Sequence, residues 1–280
     1  MRVERVIDFQ NIVPGQIAIM KPALGPTYEA FYIALGGGLL ITHMDRIQLK
    51  IDGAVRYETT GADLLAHNLY EGLPNATNQI VLDFTQPNAK SSGTPKGPTS
   101  AAAEMLLTCL PSNLFQMMTL EFTLNASAPG GSTMVARAQV SEPSGNPYII
   151  KQQKASYAFP AAGDQYLPLP TGPNGALVKQ IFMMQSNYGV GGAGSISAIE
   201  VRNNGVVITE VTPADLALIH SKYQRVEQAG MTVLDYFLQG LRAKLLNTVA
   251  GKNTYLKLTT TGGPVNLNVY NRIIDPVNRK

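Results

Sequence analysis

Six carboxylates stand at matched places in this 280-residue chain. Glu58, Asp63 and Asp83 in the first half correspond to Glu210, Asp215 and Asp235 in the second, each pair 152 positions apart. Paired acids serve general acid–base chemistry when a shared cleft raises the pKa of one and leaves the other ordinary. The local pattern gives two of these pairs a different task. Asp63 and Asp215 each stand three residues after a threonine, Thr60 and Thr212, where a helical run begins. That is a capping-box arrangement with Asp in place of Glu or Gln, in which the acid meets free amide groups and the positive end of the helix dipole. A catalytic dyad present in both halves would also require two active sites, so no catalytic residue is assigned.

Other chemistry-bearing motifs lack their contexts. "GVGGAG" at 189–194 satisfies G-x-G-x-x-G, but "SISAIEVRNNG" follows it. That reads as a strand and a turn, where a dinucleotide site needs a helix N-terminus for the pyrophosphate. Its counterpart is "GGG" at 36–38, and both read as glycine-rich loops between strands. His43, His67 and His220 form neither H-x-H nor H-E-x-x-H, so the metal-binding double-barrel enzymes of cupin type lose their ligands. His67 and His220 fall on the expected helices in surface or packing roles. Cys109 is the only cysteine and sits in "AAAEMLLTCLP", the setting of an inert buried thiol. No G-x-S-x-G, P-loop or C-x-x-C occurs. Loop oxygen ligands for calcium leave little trace in a sequence, and the residues name no metal ligands.

The elements that hold these residues are themselves repeated. "DGAVRYETTGADL" at 52–64 and "NGVVITEVTPADL" at 204–216 share seven of 13 positions, and the same offset brings "VLDF" at 81–84 onto "VLDY" at 233–236. With small drifts, "TLEFTL" at 119–124 meets "YLKLTT" at 255–260, and "GGSTMVARAQV" at 130–140 meets "GGPVNLNVYNR" at 262–272. Nearly the whole chain is two versions of one domain.

Ile47, Leu49 and Ile51 alternate with polar residues before Asp52-Gly53, and alternation resumes through Val55, Tyr57 and Thr59. Asp-Gly, like Asn204-Gly205 in the second repeat, supplies the positive φ values of a type I′ hairpin turn. Further strand-like runs are "QIAIM", "EAFYIAL", "IVLDF", "MTLEFTL" and "MVARAQV", matched by "QYLPLP", "KQIFMM", "TVLDY", "TYLKLTT" and "VNLNVYN". About eight short strands per repeat predict two antiparallel sandwiches with short helices. The caps start one helix at Gly61, ending near Glu71, and a longer one at Pro213, ending near Gln228.

Charged residues make up only 15% of the chain, against 45% hydrophobic, fewer charges than the roughly 25% usual for a soluble domain. Partners are therefore expected to cover much of the surface. The net charge of +3 is spread over 22 scattered basic residues, without the stripe that neutralises nucleic-acid phosphates. No nucleic-acid partner is expected. One cysteine excludes an internal disulfide and suits folding in a reducing cytoplasm. Glu4 and Asp8 interrupt the place of a signal-peptide apolar core, so export by that route is not expected. "AFYIALGGGLLITHM" is too short and glycine-rich to span a bilayer.

The repeats differ most after "VLDF", where the first is 16 residues longer. The excess, "QPNAKSSGTPKGPTS" at 86–100, has the composition of an exposed loop. "YIIKQQKASYAF" at 148–159 resembles the opening "RVERVIDF". A boundary near Gly145 follows, with one domain over 1–144 and another over 145–280.

The ordered motifs I-x-x-I-x-(V/L)-x-x-(D/N)-G-x-V…T-x-A-D-L, then VLDF/Y and (T/Y)-L-x-(F/L)-T, occur twice. Together with the opening "VIDFQNIVPGQIAIMKPALGPTYEAFYIAL", they resemble the double jelly-roll major capsid proteins of tailless icosahedral phages with an internal membrane, the corticovirus-type coats and related proviruses. The resemblance implies two tandem eight-stranded jelly rolls and a homotrimer with six similar lobes, a pseudo-hexagonal tile. It implies a virion capsid assembled in the host cytoplasm, with neighbouring capsomers, penton proteins and minor membrane-associated proteins as partners. Strands would stand roughly perpendicular to the shell, with the 86–100 loop facing outward or toward the next capsomer. The chain ends would lie inside, where Arg2, Arg5, Arg279 and Lys280 meet anionic lipid or remain ordinary solvated charges. No cofactor is implied, although family members can carry calcium at subunit contacts. Two readings stay open beside it: a tandem lectin-like protein, for which absent tryptophan and 7% aromatics are a poor basis, and an amidase-like enzyme on two jelly rolls.

Overall fold

The computed structural model describes residues 2–94, 97–170, 176–248 and 253–276. It packs as two units divided between Gln153 and Lys154, with the chain from Ile274 onward returning to the first.

In the first unit the strands are β1 (Arg2–Arg5), β2 (Ile17–Met20), β3 (Thr27–Gly36), β4 (Met44–Ile51), β5 (Ala54–Thr59) and β6 (Gln79–Asp83). A small hairpin, β7 (Ser92–Thr94) and β8 (Gly97–Thr99), precedes β9 (Leu110–Pro111), β10 (Met118–Leu124) and β11 (Thr133–Ser141). Helix α1 (Gly61–Glu71) follows β5, and α2 (Ala101–Met105) follows the hairpin. Among the described residues one sheet runs β1-β11-β3-β6 with β9 added to β3, and the other runs β5-β4-β10-β2. Alternation explains the core. Met134, Ala136, Ala138 and Val140 of β11 point inward with Phe31 and Ile33 of β3, and meet Ile47 and Leu49 of β4 with Leu120 and Phe122 of β10. Two inner faces packed in this way make a sandwich core.

In the second unit the strands are β12 (Tyr148–Phe159, from Lys154), β13 (Gly163–Pro168), β14 (Ala176–Gln185), β15 (Ser195–Asn203), β16 (Val206–Val211), β17 (Met231–Asp235), β18 (Leu246–Thr248), β19 (Thr254–Thr261) and β20 (Val265–Pro276, to Ile273). Helix α3 (Pro213–Lys222) follows β16. The described strands form β17-β14-β20-β12, with β18 on β14, and β13-β19-β15-β16. Ile199, Val201, Leu256, Leu258, Leu267 and Val269 fill its core. Taking the eight principal strands of each unit in chain order, both repeats obey one rule: 1-8-3-6 in one sheet and 2-7-4-5 in the other. The duplicated sequence predicts the two antiparallel sandwiches, and their strand order is the double jelly roll that the family resemblance implies.

The packing divides the chain differently from a cut at 144/145. Residues 142–147 join β11 to β12, but the first half of β12 packs with the first unit, where Gln152 stands opposite Tyr57. Helix α3 is shorter than the expected run to Gln228. It stops at Lys222 because Tyr223 and Arg225 both donate backbone N–H groups to the His220 carbonyl, with Gln224 between them at φ 56°. That closure is an αL stop like those usually built on glycine. The 86–100 stretch carries the β7–β8 hairpin, and residues 95–96 lie outside the described residues.

Candidate functional site

Four of the six duplicated carboxylates, Glu58, Asp83, Asp215 and Asp235, accept structural hydrogen bonds. Asp83 Oδ1 accepts from the Thr85 N–H at 2.8 Å, and Asp235 Oδ1 accepts from the Phe237 N–H at 2.8 Å. Both aspartates thus end the sixth strand of their unit in the same side-chain turn. Asp235 Oδ2 also accepts from Gln180 Nε2 at 2.8 Å, and Glu58 accepts from Gln48 across the β4–β5 pair at 2.7 Å. Glu210 is exposed on β16.

At the helix starts, Thr60 Oγ1 accepts from the Asp63 N–H at 3.1 Å and Thr212 Oγ1 accepts from the Asp215 N–H at 3.2 Å. Asp215 Oδ2 returns a bond by accepting from the Thr212 N–H at 2.9 Å. The Thr212 hydroxyl, and then its backbone N–H, hold the Asp215 carboxyl below the usual range. A depressed acid stabilises the folded state above its unfolded pKa and loses that contribution as pH falls through the folded value. Thr212→Ala and Thr60→Ala are each expected to cost about 0.5–2 kcal/mol in urea unfolding. Asp215→Asn should narrow its stability gap to the parent as the pH is lowered below the ordinary aspartate range; an equal gap at every pH would refute the assignment.

The duplicated turns do more than reverse the chain. Asp52 and Asn204 sit at φ 51° and 50°, followed by Gly53 and Gly205 at 79° and 81°. Asp52 Oδ1 accepts from the Gln116 and Met117 N–H groups at 2.7 and 2.9 Å, while the Asp52 N–H donates to the Met117 carbonyl. Asn204 repeats the exchange with Asn253, its Oδ1 accepting from the Asn253 N–H at 3.0 Å and its N–H donating to the Asn253 carbonyl. Each turn thereby pins the segment that enters the unit's seventh strand. Alanine at either position loses the acceptor and is strained at positive φ, a combined cost of about 1–3 kcal/mol. Asn204→Asp should retain most of the stability, as comparison of urea midpoints will show.

The glycine motifs are loops. Gly189 and Gly192 have φ 75° and 80°, and β15 follows with no intervening helix. A Cβ on Gly194 would be forced into the Thr261 and Gly263 carbonyl oxygens, and one on Gly37 would lie 2.7 Å from the Gly131 oxygen. In both repeats, therefore, the loop between the third and fourth strands packs backbone to backbone on the loop before the eighth. His67 and His220 are buried, and His220 Nδ1 lies 3.1 Å from Glu227. The exposed sheath of α3 is therefore not where its histidine points. His43 Nδ1 accepts from the Leu40 N–H at 3.1 Å. Cys109 is buried, which pushes its thiol pKa up, with the Glu29 and Asp83 charges adding to the shift. Among the described residues no three His, Cys, Asp or Glu side chains form a metal-binding group, and no helix is long and apolar enough to cross a membrane.

Ion pairs on the outer faces of the 2-7-4-5 sheets were not singled out from sequence. Lys50 Nζ meets Glu121 at 2.6 Å in the first unit. In the second, Lys257 bridges Glu200 at 2.9 Å and Asp164 at 3.1 Å, and Arg202 reaches Glu200 at 2.5 Å. The Lys257 and Arg202 bonds hold the Glu200 carboxyl low, and the Thr259 hydroxyl with Lys257 does the same for Asp164. Charges alternating with core residues on neighbouring strands were the available signal. Arg2 and Arg5 are locally paired with Glu4 and Asp8; Arg279 and Lys280 lie outside the described residues.

What the geometry presents is two equivalent sandwiches with matched turn anchors and matched loop contacts. Comparison with protein families decides what such a chain is. The model of the viral coat protein P2 N-terminal domain matches residues 3–141, and that of the P2 C-terminal domain matches residues 149–277. The chain belongs to the viral coat protein P2 family. It is a viral coat protein.

Solved structures agree on the fold. The major capsid protein P2 of bacteriophage PM2 is 16% identical, superimposes with a TM-score of 0.84, and is covered over 99% of its length by 100% of this chain. The major capsid protein of Sulfolobus turreted icosahedral virus shares 12% identity at a TM-score of 0.63, over 97% of this chain and 95% of that one. The PBCV-1 capsid protein shares 12% at 0.55, over 99% and 95%. No curated protein sequence matches the chain. Fold similarity is thus retained at 12–16% sequence identity.

Proposed function

We propose that this coat protein forms homotrimers that act as pseudo-hexagonal tiles of an icosahedral shell enclosing a membrane. The observation that carries the reading is the common strand order of the two units, repeated down to the Asp52 and Asn204 turn anchors. Three chains bring six similar lobes to a ring, and closed three-fold symmetry lets each chain use the same contacts. Low charge and many exposed apolar side chains, Val206, Ile208 and Leu218 among them, suit a surface covered by neighbours. Penton and membrane-associated proteins would complete the shell, with synthesis in the host cytoplasm. Tyr57 is buried and edge-on to Phe84, which removes it as a sugar-stacking platform.

Light scattering on the purified chain should give three times the 30.1 kDa protomer mass, and electron microscopy of assembled particles should show trimeric tiles over a bilayer. A protein that stays monomeric at high concentration, or shells without lipid, would count against the corresponding part of the proposal.

A further inference from the structure

One seat is filled in the first unit and open in the second. Between β3 and β4 the chain folds into a 3-10 turn, Ile41–His43, set against the start of α1. Ile41 is fully buried, and its N–H donates to the Thr77 carbonyl at 2.8 Å. Its carbonyl oxygen fills the space that a Cβ on Gly61 would need, beside Met44 Cβ. The 152-residue offset sets Pro213, Ala229 and Ile196 at the places of Gly61, Thr77 and Met44. All three line a cavity of about 400 Å³, within the size range of small-ligand sites. The loop between the third and fourth strands, which fills the seat in the first unit, is tied elsewhere in the second. The Ser186 N–H donates to the Asn266 carbonyl, and the Asn187 side chain and the Gly194 N–H donate to that of Pro264.

The walls differ together with the loop. Met44 is 1% exposed but Ile196 is half-buried, and Leu65, which packs on the first core, is replaced by the exposed Ala217. Pro213 carries the Cβ that Gly61 must omit. In the first unit Ile41 brings two things to the seat, a branched aliphatic side chain and an N–H. The Thr77 carbonyl that takes this N–H has its counterpart in Ala229, whose carbonyl receives no backbone N–H among the described residues. The second unit also adds charge, because Glu227 replaces the neutral Asn75 and is the one charged residue among the described ones lining the cavity. Glu227 Oε1 accepts from the Val233 N–H at 2.7 Å and lies 3.1 Å from His220 Nδ1, while Oε2 has no donor among the described residues. Tyr188 lines the same cavity and is 55% exposed; an aromatic ring in that place favours a cation.

We propose that this cavity binds a small aliphatic amine in its ammonium form. The aliphatic part takes the place that Ile41 holds in the first unit, against Ile196, Pro213 and Ala217. The ammonium group donates to the Ala229 carbonyl, as the Ile41 N–H does to Thr77, and meets the Glu227 charge. The site lies within the second unit and does not depend on the trimer reading.

The test follows the Ile196 methyl signals of the full-length protein by NMR while isopentylammonium chloride is titrated in, with isopentanol as the neutral probe. E227Q and A217L are the variants, and thermal unfolding checks their folding. The expected result for the parent is a saturable shift with a Kd of about 1 mM for the amine. Binding should be about tenfold weaker for the alcohol, and about tenfold weaker for the amine in E227Q, the loss of one charged hydrogen bond. A217L installs the residue that the first unit uses, so it should stay folded and lose the shift. A parent without a saturable shift would overturn the proposal; if A217L or E227Q then also lowered the mass seen by light scattering, a lysine of a second copy would be the occupant instead. Equal affinity for amine and alcohol would overturn the ammonium class, and amine binding by A217L at the parent's affinity would overturn the location. The comparison of the two probes on the parent decides the class even if a variant fails to fold.

Discussion

Gly61→Ala is expected to destabilise the first unit by about 3 kcal/mol, the upper end of the range for overpacked buried sites. The residue opens α1 and is buried, and a Cβ built on it would be driven into the Ile41 carbonyl oxygen and against Met44 Cβ. Neither neighbour can yield cheaply. Ile41 is fully buried in the core, and its N–H is bonded to the Thr77 carbonyl at 2.8 Å. The first turn of α1 would have to move away, carrying the Thr60 cap and the buried Leu64 with it. In the second repeat Pro213 occupies the same helix position, so helix formation by itself does not demand glycine there. Gly191→Ala is the matched control, because its Cβ would meet nothing within 4 Å. Urea midpoints should separate the two variants widely, with Gly191→Ala within about 0.5 kcal/mol of the parent. Similar midpoints would show that α1 can shift at little cost.

Lys151→Met or Asp275→Leu alone is expected to cost about 3–5 kcal/mol, while the double variant recovers most of it. Lys151 Nζ lies 2.6 Å from Asp275 Oδ2, and both side chains are more than nine-tenths buried. Truncating either leaves a charge away from water without its counterion, whereas two apolar side chains leave none. The pair joins the start of β12 to the end of β20 in the first unit. A double-mutant cycle on unfolding free energy measures the coupling; losses that simply add would mean that the two charges are stabilised independently.

Much of the architecture is legible in the residues because it is written over short distances. Alternation at Ile47, Leu49 and Ile51 assigns one face of β4 to the core, and Asp52-Gly53 supplies the positive φ values that reverse the chain. Doubling of these signals at Asn204-Gly205 and Thr212 makes the two-lobed organisation readable. The 16% identity to the PM2 coat protein shows how loosely such a pattern constrains individual residues. Inward positions need only be apolar and of suitable size.

Other features were beyond a reading of neighbours. The end of α3 at Lys222 depends on a left-handed Gln224, a residue whose type carries no stop signal. The burial of His67 and His220 on amphipathic helices became known only when the helices were set against their sheets. Family membership and the coat function followed from the whole ordered pattern of the two repeats.

The sequence by itself determined the strand faces, the two hairpin turns, the helix starts and the duplication, because each depends on φ preference or periodicity within a few residues. Tertiary structure alone decided that Asp52 holds the Met117 segment, that Gly61 must clear Ile41, that Lys151 finds Asp275, and that β5 is covered while β16 is bare. These depend on which distant segments are brought within a few ångströms, and chain closure over tens of residues leaves no periodic mark on the residues it joins.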